Sequence, residues 1–381
     1  MEALVGAAVF DGTETRTDVA VLVEAGRIAA VLPRDAVPAD ARLTDLGGGL
    51  LTAGFIDAQV NGGGGVMLND GPTADAMAAI AAAHRRFGTT GLLPTLITDT
   101  PAATAAAIAA AAAAVPTRPG VIGLHLEGPH LAPARRGAHV AALMRPMAEA
   151  DADQLIAAAE AIGVLMVTVA VEQAPPTLIR RLADGGVTVS LGHTDAAYDD
   201  VRRAVDAGAR AATHLFNAMS PLGHRAPGIA GAALDMGALW CGMIADGHHV
   251  HPATLGIAIR GKRGPGRCFL VTDAMGTVGT EGTVFTLNGR TCRRADGRLT
   301  LEDGTLAGAD IDMAASVRLL VERVGVGVEE ALRMASAWPA DMLGIGEMRG
   351  RVQAGLQADL VHLREDLAVR GTWVAGVRNG G

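Results

Sequence analysis

The chain has 381 residues, of which 50% are hydrophobic and 19% charged, enough to bury a sizeable core in one large domain with a smaller companion and too apolar for global disorder. A formal net charge of −8 excludes a general nucleic-acid-binding surface and leaves room only for local basic pockets. Cys241, Cys268 and Cys292 lie far apart with no C-x-x-C pair, which excludes a disulfide framework or a cysteine zinc site, and neither a basic leader nor an apolar run of about 18 residues points to secretion or a membrane span, so the cytoplasm is expected.

In chain order, residues 1–50 read as short strands. "VAVLVEAGRIAAVLP" places two β-rich runs around Glu24-Ala25-Gly26-Arg27, a hairpin signal. The middle of the chain carries eight apolar, β-prone runs: 54–60, 92–98, 121–127, 165–171, 188–194, 211–217, 239–246 and 268–274. Helix-like segments separate most of them, including an alanine tract at 102–115 that Pro101 opens as a first-turn residue. Apolar strands alternating with helices predict a parallel sheet covered on both faces, and eight units suffice to close it. The last residues return to β texture in "GRVQAGLQADLVHL" and "GTWVAGVRNG". The predicted fold is a (β/α)8 TIM-like barrel over 52–345, with a small β-sandwich domain formed by both termini, 1–51 and 346–381. A doubly wound open sheet is the alternative.

In such a barrel the chemistry lies at the C-terminal ends of the strands. Gln59, Asn61, Glu127, His193, His214, Asp246 and Asp273 all fall there. Thr98, Asp99 and Glu172 fall there too, but any strand must end in something polar, and they are set aside. Glu127, His193 and His214 end three different predicted strands. Two imidazoles and a carboxylate converging from separate strands form a ligand set for zinc or a similar divalent ion, with a position left for water. Asp273 ends the last strand and can move a proton to and from that water, although a helix N-cap is its ordinary reading. His125 and His130 flank Glu127 and are read as structural. "NGGGG" (61–65) lacks the G-K-[ST] ending of a phosphate loop and is read as a tight turn.

Several motifs together carry a resemblance: "GFIDAQVNGGGG", "GTTGLLPTLIT", "GLHLEGPHL", "SLGHTDAAYDD", "THLFNAMSPLGHRAPGIAGAAL", "IADGHHVHP", "LVTDAMG" and "DGTLAGADIDM". Almost end to end, the chain resembles the N-acetylglucosamine-6-phosphate deacetylases, a family of the amidohydrolase superfamily. The resemblance implies hydrolysis of N-acetylglucosamine 6-phosphate to glucosamine 6-phosphate and acetate, in amino-sugar catabolism and cell-wall recycling. It implies Glu127, His193 and His214 as metal ligands, Asp273 as acid/base and His139 as the group at the acetyl carbonyl. Asn217 and Ala218 match residues that hold the sugar phosphate. Arg225 and His249 match phosphate-binding groups, one of which is expected to reach in from the second subunit of a homodimer; His249 is chosen over His248 and His251 as the histidine before valine. Leu306, Ala307 and Gly308 match a substrate-lining loop.

The superfamily pattern on the first strand is G-x-I-D-x-H-x-H-G, and here Gln59 and Asn61 stand at the histidine positions. Amides are poor zinc ligands. The single lysine, Lys262, sits in a polar loop segment and cannot supply the carbamate that bridges two metals in many relatives. Both points imply one divalent ion per chain, zinc first and iron or another ion second. The alternatives are a deacetylase for the galactosamine epimer, a dipeptidase-like amidohydrolase, which would not need the phosphate set, and a non-catalytic barrel, which would not keep all four ligand and acid/base positions filled.

Overall fold

The computed structural model describes residues 1–379. Eight parallel strands lie side by side in sequence order. They are β1 Phe55–Val60, β2 Thr89–Ile97, β3 Leu124–Glu127, β4 Leu165–Val169, β5 Thr188–Leu191, β6 Ala211–Ala212, β7 Trp240–Met243 and β8 Cys268–Leu270. The ring closes just past β8. Ala274 pairs in parallel with Val60, and the Asp273 N–H donates to the Gln59 carbonyl at 2.9 Å. An eight-stranded ring has an interior that side chains fill, and this closure rules out the open-sheet alternative.

Every strand overlaps its predicted run, but β5 to β8 stop several residues earlier than expected. At β5, β6 and β8 the reason is local. His193, His214 and Asp273 have φ of +48°, +29° and +53°, left-handed values that a ladder cannot hold. The chain therefore leaves the sheet just before each of these residues and turns its side chain over the barrel mouth. Backbone strain at these positions is borne by the closed ring beneath them.

The alanine tract is the helix Pro101–Ala114. Thr100 caps it, accepting the Ala103 N–H at 3.2 Å, and Ala107, Ala110, Ala111 and Ala114 form its buried face, the i, i+3, i+4, i+7 stripe of a helix lying on a sheet. In the "NGGGG" turn, Gly64 and Gly65 have φ of +62° and +84°. A Cβ at Gly62 would lie 2.7 Å from the Gly276 N and 2.4 Å from the Val66 carbonyl, so this backbone passes where a side chain would not fit.

Both termini form two sheets packed beside the barrel, with Phe10, Val361 and Leu363 reaching into its core. One holds Arg27–Pro33, Val19–Glu24, Glu2–Val5 and Arg42–Asp45; the other runs Val377–Asn379, Val369–Val374, Leu360–Leu363, Leu50–Ala53, Ala8–Phe10 and Thr15–Arg16. Leu4, Val21, Val23 and Ile28 of the first sheet share one core with Val9, Leu51, Leu360 and Trp373 of the second, which makes the pair a sandwich. The predicted hairpin turns at Ala25 and Gly26, with φ of +49° and +79°. A four-stranded antiparallel sheet, Val284–Leu287, Arg290–Ala295, Arg298–Leu301 and Leu306–Ala309, follows β8. The sequence reading did not separate it from the barrel, and the expected loop around Leu306 is its last strand.

Candidate active site

Glu127 is the last residue of β3, and His193 and His214 stand two residues beyond β5 and β6. Their side chains meet. Glu127 Oε1 lies 3.2 Å from His193 Nε2 and 3.0 Å from His214 Nε2, and the two ring nitrogens are 3.1 Å apart. All three side chains are buried, at 3–5% exposure. The Nδ1–H of His193 donates to the Arg135 carbonyl at 2.8 Å. A carbonyl can only accept, so that ring's proton is on Nδ1 and its Nε2 presents a lone pair to the cluster.

Burial works against the charge on Glu127, but contacts with His193 and His214 and the nearness of His139 outweigh it, holding the carboxyl well below its usual range. At His214 burial likewise opposes charge, and the Glu127 contact overrides it and raises the ring's affinity for a proton. His214 Nδ1 is buried without a partner. This centre therefore attracts positive charge. A carboxylate and imidazole lone pairs at 3.0–3.2 Å spacing are what a divalent cation satisfies. The ligand atoms of Glu127, His139 and His193 also lie within 4.8 Å of one another, so distance alone admits His139 to the set.

Asp273 faces this cluster from beyond β8. Its Oδ1 accepts from Asn61 Nδ2 at 2.6 Å and from Gln59 Nε2 at 3.2 Å, and Gln59 Nε2 is also 3.2 Å from Glu127 Oε1. Of the two amides at the expected histidine positions, Gln59 thus bridges both carboxylates and Asn61 donates to Asp273 alone. Burial first, and then the charge of Glu127, push the Asp273 carboxyl up to about 6. A base near that value can take a proton from an activated water and return it.

The cluster opens into a cleft of about 250 Å³. Besides Asn61 and the groups above, His139, Asn217, Ala218, His249, Leu306 and Gly308 line it. His139 Nε2 is 3.7 Å from Glu127 Oε2, and burial, then the nearness of His193, push its ring down to about 3, so it is neutral. His249 gives its Nδ1–H to Asp246 Oδ2 at 2.6 Å, which turns Nε2 outward. Asn217 donates to the His214 carbonyl at 3.1 Å. His248 bonds Arg298 at 3.1 Å instead, and His251 caps the helix Pro252–Gly261. Two of the expected substrate-binding residues are not in this cleft. Arg225 is exposed on the loop after β6, and Ala307 points away and packs with Met67, Ile97 and Met275.

His125 and His130 have the structural partners expected of them. His125 bonds Thr95 Oγ1 at 3.2 Å and Thr168 Oγ1 at 2.8 Å in the barrel interior, and His130 donates to the Arg145 carbonyl at 3.1 Å. Three contributors were given no role by the sequence reading, although Thr98 and Asp246 were both noted at strand ends. Thr98, set aside as an ordinary strand end, contacts His139. Asp246 orients His249. Asp57 accepts from Thr272 Oγ1 at 2.5 Å and ties β1 to the segment bearing Asp273, while burial drives its carboxyl up to about 7. Asp57 lies inside the quoted "GFIDAQV" motif, and an aspartate in an otherwise apolar run was the available signal.

Residues 50–378 match the amidohydrolase family and residues 1–51 match the NagA composite domain. An N-acetylgalactosamine-6-phosphate deacetylase from Shewanella sp. (strain ANA-3) is 42% identical over 332 residues, covering 86% of this chain and 82% of that protein. The N-acetylglucosamine-6-phosphate deacetylase of Homo sapiens is 39% identical over 347 residues, 87% and 84% of the two chains. The crystal structure of N-acetylglucosamine-6-phosphate deacetylase from Pasteurella multocida superposes with a TM-score of 0.96 at 34% identity, over 100% of both chains.

Proposed function

The chain belongs to the amidohydrolase family, and from that premise we propose that it hydrolyses N-acetylglucosamine 6-phosphate to glucosamine 6-phosphate and acetate. Its class is plain: it is a hydrolase acting on an N-acetyl amide. The observation that carries the reading is the meeting of Glu127, His193, His214 and Asp273 at one cleft that also presents His139 and His249.

Glu127, His193 and His214 would hold one divalent ion per chain, with zinc the first choice and iron or another divalent ion the second, and when bound it would supply Lewis acidity to the site. Asp273 takes a proton from the attacking water as the water oxygen bonds to the carbonyl carbon. The His139 Nε2–H donates to the carbonyl oxygen as negative charge gathers there. Asp273 then gives its proton to the amide nitrogen as the C–N bond breaks, releasing amine and acetate. Asn217, Ala218 and His249 hold the sugar phosphate away from the reacting bond, so binding energy there orients the acetyl group. The strand bearing Leu306 and Gly308 lines the opposite wall.

Arg225 fits this scheme if the enzyme is a homodimer, since an exposed arginine outside its own cleft suits the phosphate in a partner's cleft. A phosphorylated sugar is an intracellular metabolite, which supports a cytoplasmic location. The 42% identity to a galactosamine-6-phosphate deacetylase favours a second reading, the galacto epimer. Acetate release from both epimeric phosphates, with bound metal counted on the same sample, tests the proposal. We expect about one metal equivalent and faster turnover of the gluco compound. Faster turnover of the galacto compound selects the second reading, and no release from either by metal-loaded protein overturns both.

A further inference from the structure

We propose that Thr98 is a positioning residue that fixes His139 as the Nε2–H tautomer, which makes His139 a hydrogen-bond donor in the cleft and not a metal ligand. For its catalytic consequence this rests on the deacetylase reading above; the tautomer itself does not.

By distance His139 is as eligible a ligand as its neighbours. The difference lies in where the proton sits, because a ring nitrogen binds a metal only through a lone pair. Thr98 stands one residue past β2. Its backbone N–H points at His139 Nδ1 at 3.3 Å. Both groups are buried. An N–H can only donate, so a proton on Nδ1 would set two donors against each other and leave a buried N–H unsatisfied. Nδ1 is therefore the acceptor and the ring proton is on Nε2, which faces Glu127 Oε2 at 3.7 Å. The Thr98 hydroxyl lies 2.9 Å from the same Nδ1. Unlike the backbone N–H it can turn its one proton either way, and with the ring proton on Nε2 it donates to Nδ1 in preference to the Glu127 carbonyl at 3.3 Å.

His193 gives the contrast. The His139 and His193 ring centroids are 4.4 Å apart, yet one ring is anchored at Nδ1 by an N–H and the other by a carbonyl. Opposite anchors set opposite tautomers. The carbonyl-anchored ring turns a lone pair to the centre, and the ring anchored by N–H turns a proton there. A single cleft thus holds a ligand and an oxyanion donor built from the same residue type.

The test has two arms. The first needs no substrate. In ¹⁵N-histidine-labelled protein, with His139 assigned by its loss in His139→Asn, we expect Nδ1 unprotonated and Nε2 protonated. His139→Asn is expected to keep the metal content of the unaltered protein, whereas His193→Asn loses it. A protonated Nδ1, or metal lost with His139, overturns the proposal whatever the substrate proves to be. The second arm is kinetic. Thr98→Val exchanges the hydroxyl for a methyl and is expected to lower kcat about 10–100-fold, with KM and metal content little changed. Thr98→Ser restores most of the rate. Unchanged kcat in Thr98→Val, or a loss that Ser does not rescue, contradicts the hydroxyl's role.

Discussion

Asp273 carries the sharpest residue-scale prediction. Asp273→Asn keeps the fold and the metal centre but removes the proton acceptor, and acetate release should fall by about 10²–10⁴-fold; near-normal release would remove Asp273 from the mechanism. The sign of the pH dependence follows from its raised carboxyl. In the proposed mechanism Asp273 works ionised, so kcat/KM should drop as the pH falls through about 6. A bound cation favours the ionised form and moves that limb lower. Asn61 donates to the same carboxylate, and its own Oδ1 is buried without a partner. Asn61→Leu should therefore fold, weaken the ionised form of Asp273 and move the acid limb upward; a limb that stays put, or moves down, contradicts the role given to the amides. The sequence exposed the main set of side chains, because a glutamate and two histidines ending apolar strands need a reason to be there. It placed Thr98 and Asp246 at strand ends without their roles, which lie in which atom of another side chain they touch. No spacing rule encodes that.

At the scale of elements, strand order and closure were legible because near-continuous apolar runs and helical spacers repeat eight times. The ends of β5 to β8 were not. A run such as "AATHLFN" reads as one strand by propensity, but Ala212 is the last paired residue and positive φ begins at His214. The antiparallel sheet over 284–309 was also missed: its polar, exposed hairpins resemble an ordinary long connection. The alanine helix gives a test free of the site. Thr100 is exposed, and its hydroxyl caps the Pro101–Ala114 helix. Thr100→Ala should cost about 1 kcal/mol of stability in a denaturant melt and leave kcat unchanged. A loss of activity without a loss of stability would mean that this helix does more than cover the sheet.

At the scale of the whole molecule, barrel and terminal sandwich share a chain whose ends return to one another, and that much could be read from β texture at both termini. The cleft is lined from seven of the eight strand ends or the loops beyond them, plus the inserted sheet. Arg225 lies outside it. If it serves a partner's cleft, the protein in solution should have twice the mass of one chain, and Arg225→Ala should raise KM for phosphorylated substrate with little change in kcat; a monomer with full affinity would contradict that. The measurement that bears most directly on the whole account is acetate release by the metal-loaded protein from N-acetylglucosamine 6-phosphate and from the same sugar without its phosphate. The account predicts turnover of the first and a large loss in kcat/KM with the second. Equal rates would contradict the phosphate site, and no release from the phosphorylated sugar would contradict the proposed reaction.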